Sequence, residues 1–416
     1  MKKILSCLLA GVMACLMAVA LFACNTQKPS DKGADGKSAY QVWLDNGHSG
    51  TETDFLNWIR SSGERGKSAY ETFKEYYPDY KGTEQEWITA VASGDKCALF
   101  GHSFDDGVIT IKPTIGKIGE KTYTCTVCNA MKTEVVSKID FTIGEVFELG
   151  EKVYVKFGSY PQTHVCDSEL IAELNKLTET NERGYYTYNG NEYAKIIAKP
   201  CLYGSYTDKN GNTVYYTYSD GAKIINNATE WFLVEPIKWR VLEENDESVK
   251  VVSDLVLDGT SYYGSMDYRD VGEEHIAPNN YKYSTLREFL NNGFYNSAFT
   301  TAQQNAILIT DVDNSASTTT SSTNPYACEN TQDKVFALSY RGSSMYFVNN
   351  FERYLKITDY ANADGVGVDL FGHANWWLRS PDDQNSDCAA INAINGSAIV
   401  SGTWVGVVPA MQIRIA

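Results

Sequence analysis

Four helix starts crowded into one short stretch constrain this chain most. The phrase Gly36-Lys37-Ser38-Ala39-Tyr40 recurs as Gly66-Lys67-Ser68-Ala69-Tyr70. Each copy runs on to a Gly-Thr-Glu phrase, at Gly50-Thr51-Glu52 and Gly82-Thr83-Glu84, and then to an aromatic, Phe55 or Trp87. Every phrase holds a capping box: Ser38/Gln41, Thr51/Asp54, Ser68/Glu71 and Thr83/Glu86. The hydroxyl accepts from a free N–H of the first turn, and the later side chain reaches back to the cap. Residues 36–94 therefore read as two helical hairpins. Each is too short to bury much surface alone, so they stack. Tyr40, Trp43, Leu44, Phe55, Trp58 and Ile59 would line one seam, and Tyr70, Phe73, Trp87 and Ile88 the other. The expected role is a spacer.

What precedes the repeat reads as an export leader, residues 1–23. Lys2 and Lys3 are followed by an uncharged apolar run from Ile4 to Phe22. Leu21-Phe22-Ala23-Cys24 then resembles the lipobox of bacterial lipoproteins. A thiol accepts the diacylglyceryl group, and a small residue before it suits the peptidase. Such a chain is anchored to the outer face of a cell membrane by lipid on Cys24, with no spanning helix retained. A transmembrane anchor is the competing reading, since the run is just long enough to span. Residues 24–35 form a polar linker.

Residues 95–137 read as a small β-rich, zinc-ribbon-like module. Cys97 and His102 stand at its start, and Cys125-Thr126-Val127-Cys128 near its end. Two knuckles of two donors suit a tetrahedral structural zinc. So small a segment has little core and needs a staple. A Cys125–Cys128 disulfide is the alternative. The pattern resembles a short Cys/His module of Gram-positive surface proteins with a Thr-Cys-x-x-Cys-Gly core. Asn129 stands where that module has Gly, and Asn also tolerates left-handed backbone.

The remainder, 146–416, is predicted to be one large α+β domain. Strands are expected at Val153–Phe157, Ile237–Leu242, Val249–Ser253, Val335–Ser339, Trp376–Arg379, Cys388–Ile394 and Gln412–Ile415. Ser284–Asn291 reads as a helix stopped by Gly293, and Thr301/Gln304 opens another. The polar tract Asn314–Pro325 is expected to be a long exposed loop. Cys166, Cys201, Cys328 and Cys388 have open pairing.

Five phrases of this domain occur together in an uncharacterised bacterial family. They are Val155-Lys156-Phe157-Gly158-Ser159-Tyr160-Pro161-Gln162, Pro236-Ile237-Lys238-Trp239-Arg240-Val241-Leu242, Ser284-Thr285-Leu286-Arg287-Glu288-Phe289-Leu290-Asn291, Asp333-Lys334-Val335-Phe336-Ala337-Leu338-Ser339 and Trp376-Trp377-Leu378-Arg379-Ser380-Pro381. The domain resembles domain of unknown function 6273. The family's closing Gly-Val-Arg-Pro-Ala stands here as Gly406-Val407-Val408-Pro409-Ala410, without its Arg. A looser likeness runs to C-type-lectin-like domains and to the formylglycine-generating fold, and fold likeness does not carry function.

Candidate ligand-binding residues are Trp376, Trp377, Arg379, Asp382, Asp383 and Trp404. Adjacent strand residues face opposite sides, so the two tryptophans cannot share one core. Burial of both is the expected reading, with an exposed aromatic near the Ser380–Asp387 loop as the sharper one. Asp382, Asp383, Asn385 and Asp387 offer oxygens for calcium, but the Gly and distal Glu of an EF-hand loop are missing, which favours a solvated turn. A salt bridge is expected for Arg379. His373 with Cys388 could suggest a base and thiol nucleophile, without an orienting third group. His164 and His275 are isolated and get no role. Phosphate loops, HExxH and Gly-x-Ser-x-Gly are absent.

A net charge of −16 repels phosphate backbones, which argues against nucleic acid. The 28 tyrosines suit wet polar recognition of glycans or proteins. The expectation is a surface-anchored, non-enzymatic binding or adhesion protein for an extracellular glycan, cell-wall or protein ligand. The alternatives are an enzyme related to the formylglycine-generating fold and a purely structural cell-envelope component.

Overall fold

The computed structural model describes residues 37–62, 66–393 and 396–415. The leader, Cys24, the linker and Ile394 lie outside these. Two compact units divide at Gly101/His102.

The first unit holds α1 (Ala39–Asp45), α2 (Glu52–Ser62), α3 (Ala69–Tyr76), α4 (Glu84–Ser93) and α5 (Lys96–Phe100). All four capping boxes form where the sequence places them. The seams form as well. Trp43 packs on Phe55 and Trp58, and Trp87 on Tyr70 and Phe73. Ile59 and Ile88, expected in the seams, are about half exposed. The repeat extends to single bonds. The Tyr40 hydroxyl donates to Gly50 O at 2.5 Å and that of Tyr70 to Gly82 O at 2.6 Å. Lys37 pairs with Asp45, and Lys67 with Glu75. Each copy thus repeats the same tie from its first helix to the turn before the second, and the same ion pair along its first helix. No helix among the described residues is long and apolar enough to cross a membrane.

The second unit is mixed α+β with several sheets. It opens with an antiparallel three-stranded sheet of β1 (Val108–Ile111), β2 (Gly119–Thr124) and β3 (Met131–Val136). The main sheet is built on β4 (Glu145–Leu149), β5 (Lys152–His164), β6 (Tyr186–Tyr188), β7 (Asn191–Ile197), β8 (Ser205–Thr207) with β9 (Thr213–Tyr215) as a separate hairpin, β10 (Thr229–Glu244) and β11 (Ser248–Ser253). Helix α6 (Ser168–Leu174) follows β5. β10 pairs with β5 along one edge, and with β7 and then β11 along the other. The carboxy-terminal strand Ala410–Arg414 lies between β11 and Val335–Phe336.

Strand alternation divides the core. Val251, Met411 and Trp377 belong to one buried cluster with Trp239, Phe294 and Phe299. Val252, Ala410 and Trp376 belong to a second with Phe336, Leu338 and Leu378. The period-2 pleat sends neighbouring side chains to opposite faces, so one sheet carries two apolar layers. Gly158 sits at φ +68 where the β5–β10 register shifts, and a Cβ there would lie 2.5 Å from Phe299. Only glycine satisfies both demands.

Three expectations change. The helix from Ser284 does not stop at Gly293. It runs on through a π turn, Leu290–Phe294, into Tyr295–Ala298. The next helix is capped one residue earlier than expected, by Thr300 with Gln303. The Asn314–Pro325 tract is exposed only in part: Ser315, Ser317, Ser322, Thr323 and Pro325 face solvent. Asn314, Thr319 and Asn324 are buried, and their side chains pair with Glu329 O, Ala316 O and Pro381 O. Polar side chains can turn inward where they find hydrogen-bond partners.

Candidate metal centre and ligand residues

The Cys/His module gathers its donors through local turns. Cys125 N donates to Ala130 O at 2.8 Å and Asn129 N to Cys125 O at 3.0 Å. That knuckle needs left-handed backbone at its end, and Asn129 adopts φ +61. The opposite loop is held against it by a Phe104–Cys125 bridge and by Thr126 N donating to Ser103 O at 2.8 Å. Asp105 Oδ1 accepts from Thr124 N and Gly107 N, which fixes the turn after His102. Cys97 lies on α5, whose first turn is capped by Asp95 and whose end is Gly101. Cys128 Sγ and His102 Nδ1 are 3.2 Å apart.

The ligand atoms of Cys97, His102, Cys125 and Cys128 all lie within 4.8 Å of one another. A tetrahedral zinc, with bonds of about 2.3 Å to sulfur and about 2.0 Å to nitrogen, sets its donors about 3.3–3.8 Å apart. The four residues can therefore hold a metal ion, and three thiols with one imidazole are compatible with structural zinc. Among the described residues no other three His, Cys, Asp or Glu side chains converge in this way.

The six candidate ligand residues do not form one surface. Trp376 and Trp377 are both fully buried, in different clusters. Their indole N–H groups donate to Arg353 O at 2.9 Å and Thr260 O at 2.8 Å. Arg379 makes no salt bridge among the described residues. Its guanidinium is buried and donates to Asn314 Oδ1, Ala337 O and Asp313 O, so it fastens the polar tract. Burial pulls its pKa down, with Tyr281 and Asp313 opposing. Asp382 Oδ1 accepts from Gln384 N and Asn385 N, and Asp383 Oδ1 from Thr320 Oγ1. Asp382 thus serves its own turn, and Asp383 ties that loop to the polar tract. Trp404 alone stays substantially exposed, at 43%.

The thiols of Cys328 and Cys388 both have raised pKa values, each chiefly through burial. For Cys388 the charges of Asp382 and Asp387 add to it. Both are thereby held protonated, the opposite of what a nucleophile needs. His373 is engaged with Asp369 at 3.3 Å.

Two features escaped the sequence reading. His164 is buried between two carboxylates, with Nδ1 2.8 Å from Asp220 and Nε2 3.1 Å from Glu230, and it stacks on Tyr218 at 4.1 Å. Each ring nitrogen thus meets a carboxylate oxygen. Burial would raise the Asp220 pKa, but bonds from Ala222 N–H, His164 and the Cys166 thiol outweigh it and leave it lowered. The partners come from distant parts of the chain, and spacing cannot show that. The second feature is a set of protruding apolar side chains. Val348 and Phe351 are 85% exposed, Leu370 88% and Phe371 78%. The short ladder Leu355–Lys356 with His373–Ala374 joins their loops, with ring contacts from Tyr354 to His373 and from His373 to Phe371.

Comparison with known proteins adds one match. Residues 246–415 fit the model of a family described as Domain of unknown function (DUF6273). Two of the five phrases, at 155–162 and 236–242, precede the matched segment, although their strands complete its sheet. No curated protein and no solved structure matches the chain.

Proposed function

We propose that this chain is a lipoprotein anchored through Cys24 to the outer face of a cell membrane. In this reading it is a non-enzymatic module that binds an extracellular protein. The helical hairpins space the large domain from the bilayer. Zinc on Cys97, His102, Cys125 and Cys128 staples the small module. The large domain is lectin-like in plan, a reading supported by the return of its last strand to the main sheet.

The observation that carries the binding reading is the exposure of Val348, Phe351, Leu370 and Phe371 on joined loops. Apolar side chains this exposed cost solvation unless something covers them, and such patches mark interaction surfaces. A mixed set of aliphatic and aromatic tips favours a protein over a glycan, whose hydroxyls need convergent polar groups. The reading as a thiol enzyme is disfavoured by the two protonated thiols.

The test uses the full mature chain carrying Phe351→Ser and Phe371→Ser together. Pull-down from envelope proteins should lose specific partners with the double variant and keep them with Trp404→Ala. Retention of every partner by the double variant would reject the patch. A glycan array answering to Trp404→Ala alone would move the ligand class to sugars. Mass spectrometry of the amino terminus tests the anchor separately: a diacylglyceryl-Cys24 start is expected, and a retained Met1 rejects it.

A further inference from the structure

The two helical hairpins share a frame but not a turn. Between the paired acid, Asp45 or Glu75, and the glycine that takes the tyrosine hydroxyl, Gly50 or Gly82, the first copy has Asn46-Gly47-His48-Ser49. The second has Tyr76-Tyr77-Pro78-Asp79-Tyr80-Lys81. The longer turn replaces small polar residues with three tyrosines and a proline, which spacing alone does not require.

The longer turn is firmly held. Tyr80 N donates to Tyr77 O at 3.1 Å, with Pro78 at the second position of the turn, where its fixed φ is favoured. The Tyr80 ring lies over Gly82, where any Cβ would strike its hydroxyl, and the Tyr80 carbonyl accepts from the Lys74 ammonium. Tyr77 stacks on Phe73 at 4.9 Å and meets Phe100 of α5 edge to face at 5.1 Å. Tyr76 is 78% exposed, and Tyr77 and Phe100 also reach solvent.

Residues 76–82 and 97–101 line an open cleft of about 730 Å³, within the range of small-ligand sites, about 300–1,000 Å³. Glu86 lines it too, but its carboxylate is committed to the Thr83 N–H and hydroxyl. Asp79 and Lys81 are exposed and make no ion pair among the described residues. Their charges offset each other, so the cleft gives neither a polyanion nor a cationic peptide a complementary field. It does present tyrosine rings, each with an apolar face and a polar edge, and beside them one acceptor and one donor group. A sugar has the matching pattern, a C–H face and a margin of hydroxyls.

We propose that residues 76–82 and α5 form a saccharide-binding cleft, in which an uncharged sugar stacks on the exposed tyrosines and hydrogen-bonds to Asp79 and Lys81. The second hairpin is then a ligand module as well as a spacer. Its site shares no residue with the apolar loops of the large unit and takes a different class of ligand. The first hairpin, with its short turn, lacks these side chains.

Isothermal titration calorimetry on the full mature chain tests this, with N-acetylchitotetraose, cellotetraose and mannotetraose as neutral probes and tetragalacturonate as the acidic one. At least one neutral probe should bind with a Kd of about 1 mM or tighter. Tyr76→Ala with Tyr77→Ala should weaken it at least about tenfold, as the loss of aromatic anchors does at binding sites. Should that variant misfold, a graft separates the two effects. Residues 76–81 are replaced by the first copy's Asn46-Gly47-His48-Ser49, a turn that already closes the same frame. The graft should keep its helical circular-dichroism signal and lose the sugar. Absence of binding by every neutral probe, undiminished binding by the graft, or preference for tetragalacturonate overturns the proposal. Because the probes are purified sugars, the outcome is read apart from the pull-down that tests the apolar loops.

Discussion

Trp376 and Trp377 are neighbours in the chain whose indoles lie in two different hydrophobic clusters. Each is fully buried, and each donates its N–H to a carbonyl. Replacing either by Ala should cost about 3–5 kcal/mol, the range for emptying a large aromatic site. Trp404→Ala, on a half-exposed residue, should cost under about 1 kcal/mol. Urea unfolding of the three variants checks the contrast. Equal losses at all three positions would contradict the two-layer core.

The His164 network makes a second prediction. Its ring is 6% exposed, and Asp220 and Glu230 are each under a fifth exposed. Replacing His164 by Leu leaves two partly buried carboxyl groups without their ring partner. The loss should be about 1–3 kcal/mol, the range for stranding polar groups that are partly withdrawn from water. Replacing all three together, as His164→Leu with Asp220→Asn and Glu230→Gln, should recover part of it. Denaturant midpoints at neutral pH provide the measure.

Metal content is the third. Purified under reducing conditions, the chain should carry about one zinc per molecule, as a closed four-donor site predicts. Cys128→Ser should lower that occupancy at least about tenfold, and chelation should raise exchange in β1–β3 while leaving the main sheet protected. Elemental analysis with hydrogen exchange reads both. Full occupancy in Cys128→Ser would reject the four-ligand site.

Asp364 gives a pH dependence of fixed sign. Its pKa is raised in the folded chain to about 8, by burial first and the Asp258 charge next. The folded state therefore holds more protons than the unfolded one above about pH 4, the ordinary carboxyl range. Its contribution is fully present below that range and is lost as pH rises through about 8. The melting temperature of Asp364→Asn, relative to wild type, should therefore increase steadily between those limits. A constant difference across them would remove Asp364 from the pH response.

What the sequence discloses here is what is local. A capping box needs only three intervening bonds, so all four in the first unit could be read directly. The Thr300/Thr301 ambiguity arose because hydroxyl and amide repeat one position later, at Gln303 and Gln304. The metal-centre donors announce themselves by residue type. Arg379 was misjudged because its partners are carbonyls, which every residue has. The phrases shared with the family prove largely structural: Arg287 pairs with Asp333 at 2.7 Å, and the Asn291 amide is bonded to the backbone of Lys334 and Val335. His164 joins segments far apart in the chain, at Asp220, Glu230 and Asp359, and no spacing rule reaches that far.

The double pairing of β10 bears on how the molecule can be dissected. Its second half supplies the ladder for β11, yet it lies wholly upstream of residue 246, where the family match begins. A recombinant fragment cut at that point would leave Val249–Val252 with a row of unmet amides and carbonyls along one margin. Such a margin templates its own copies, so a truncated product should clump, and biochemistry on the family segment is best done with the preceding hundred or so residues attached.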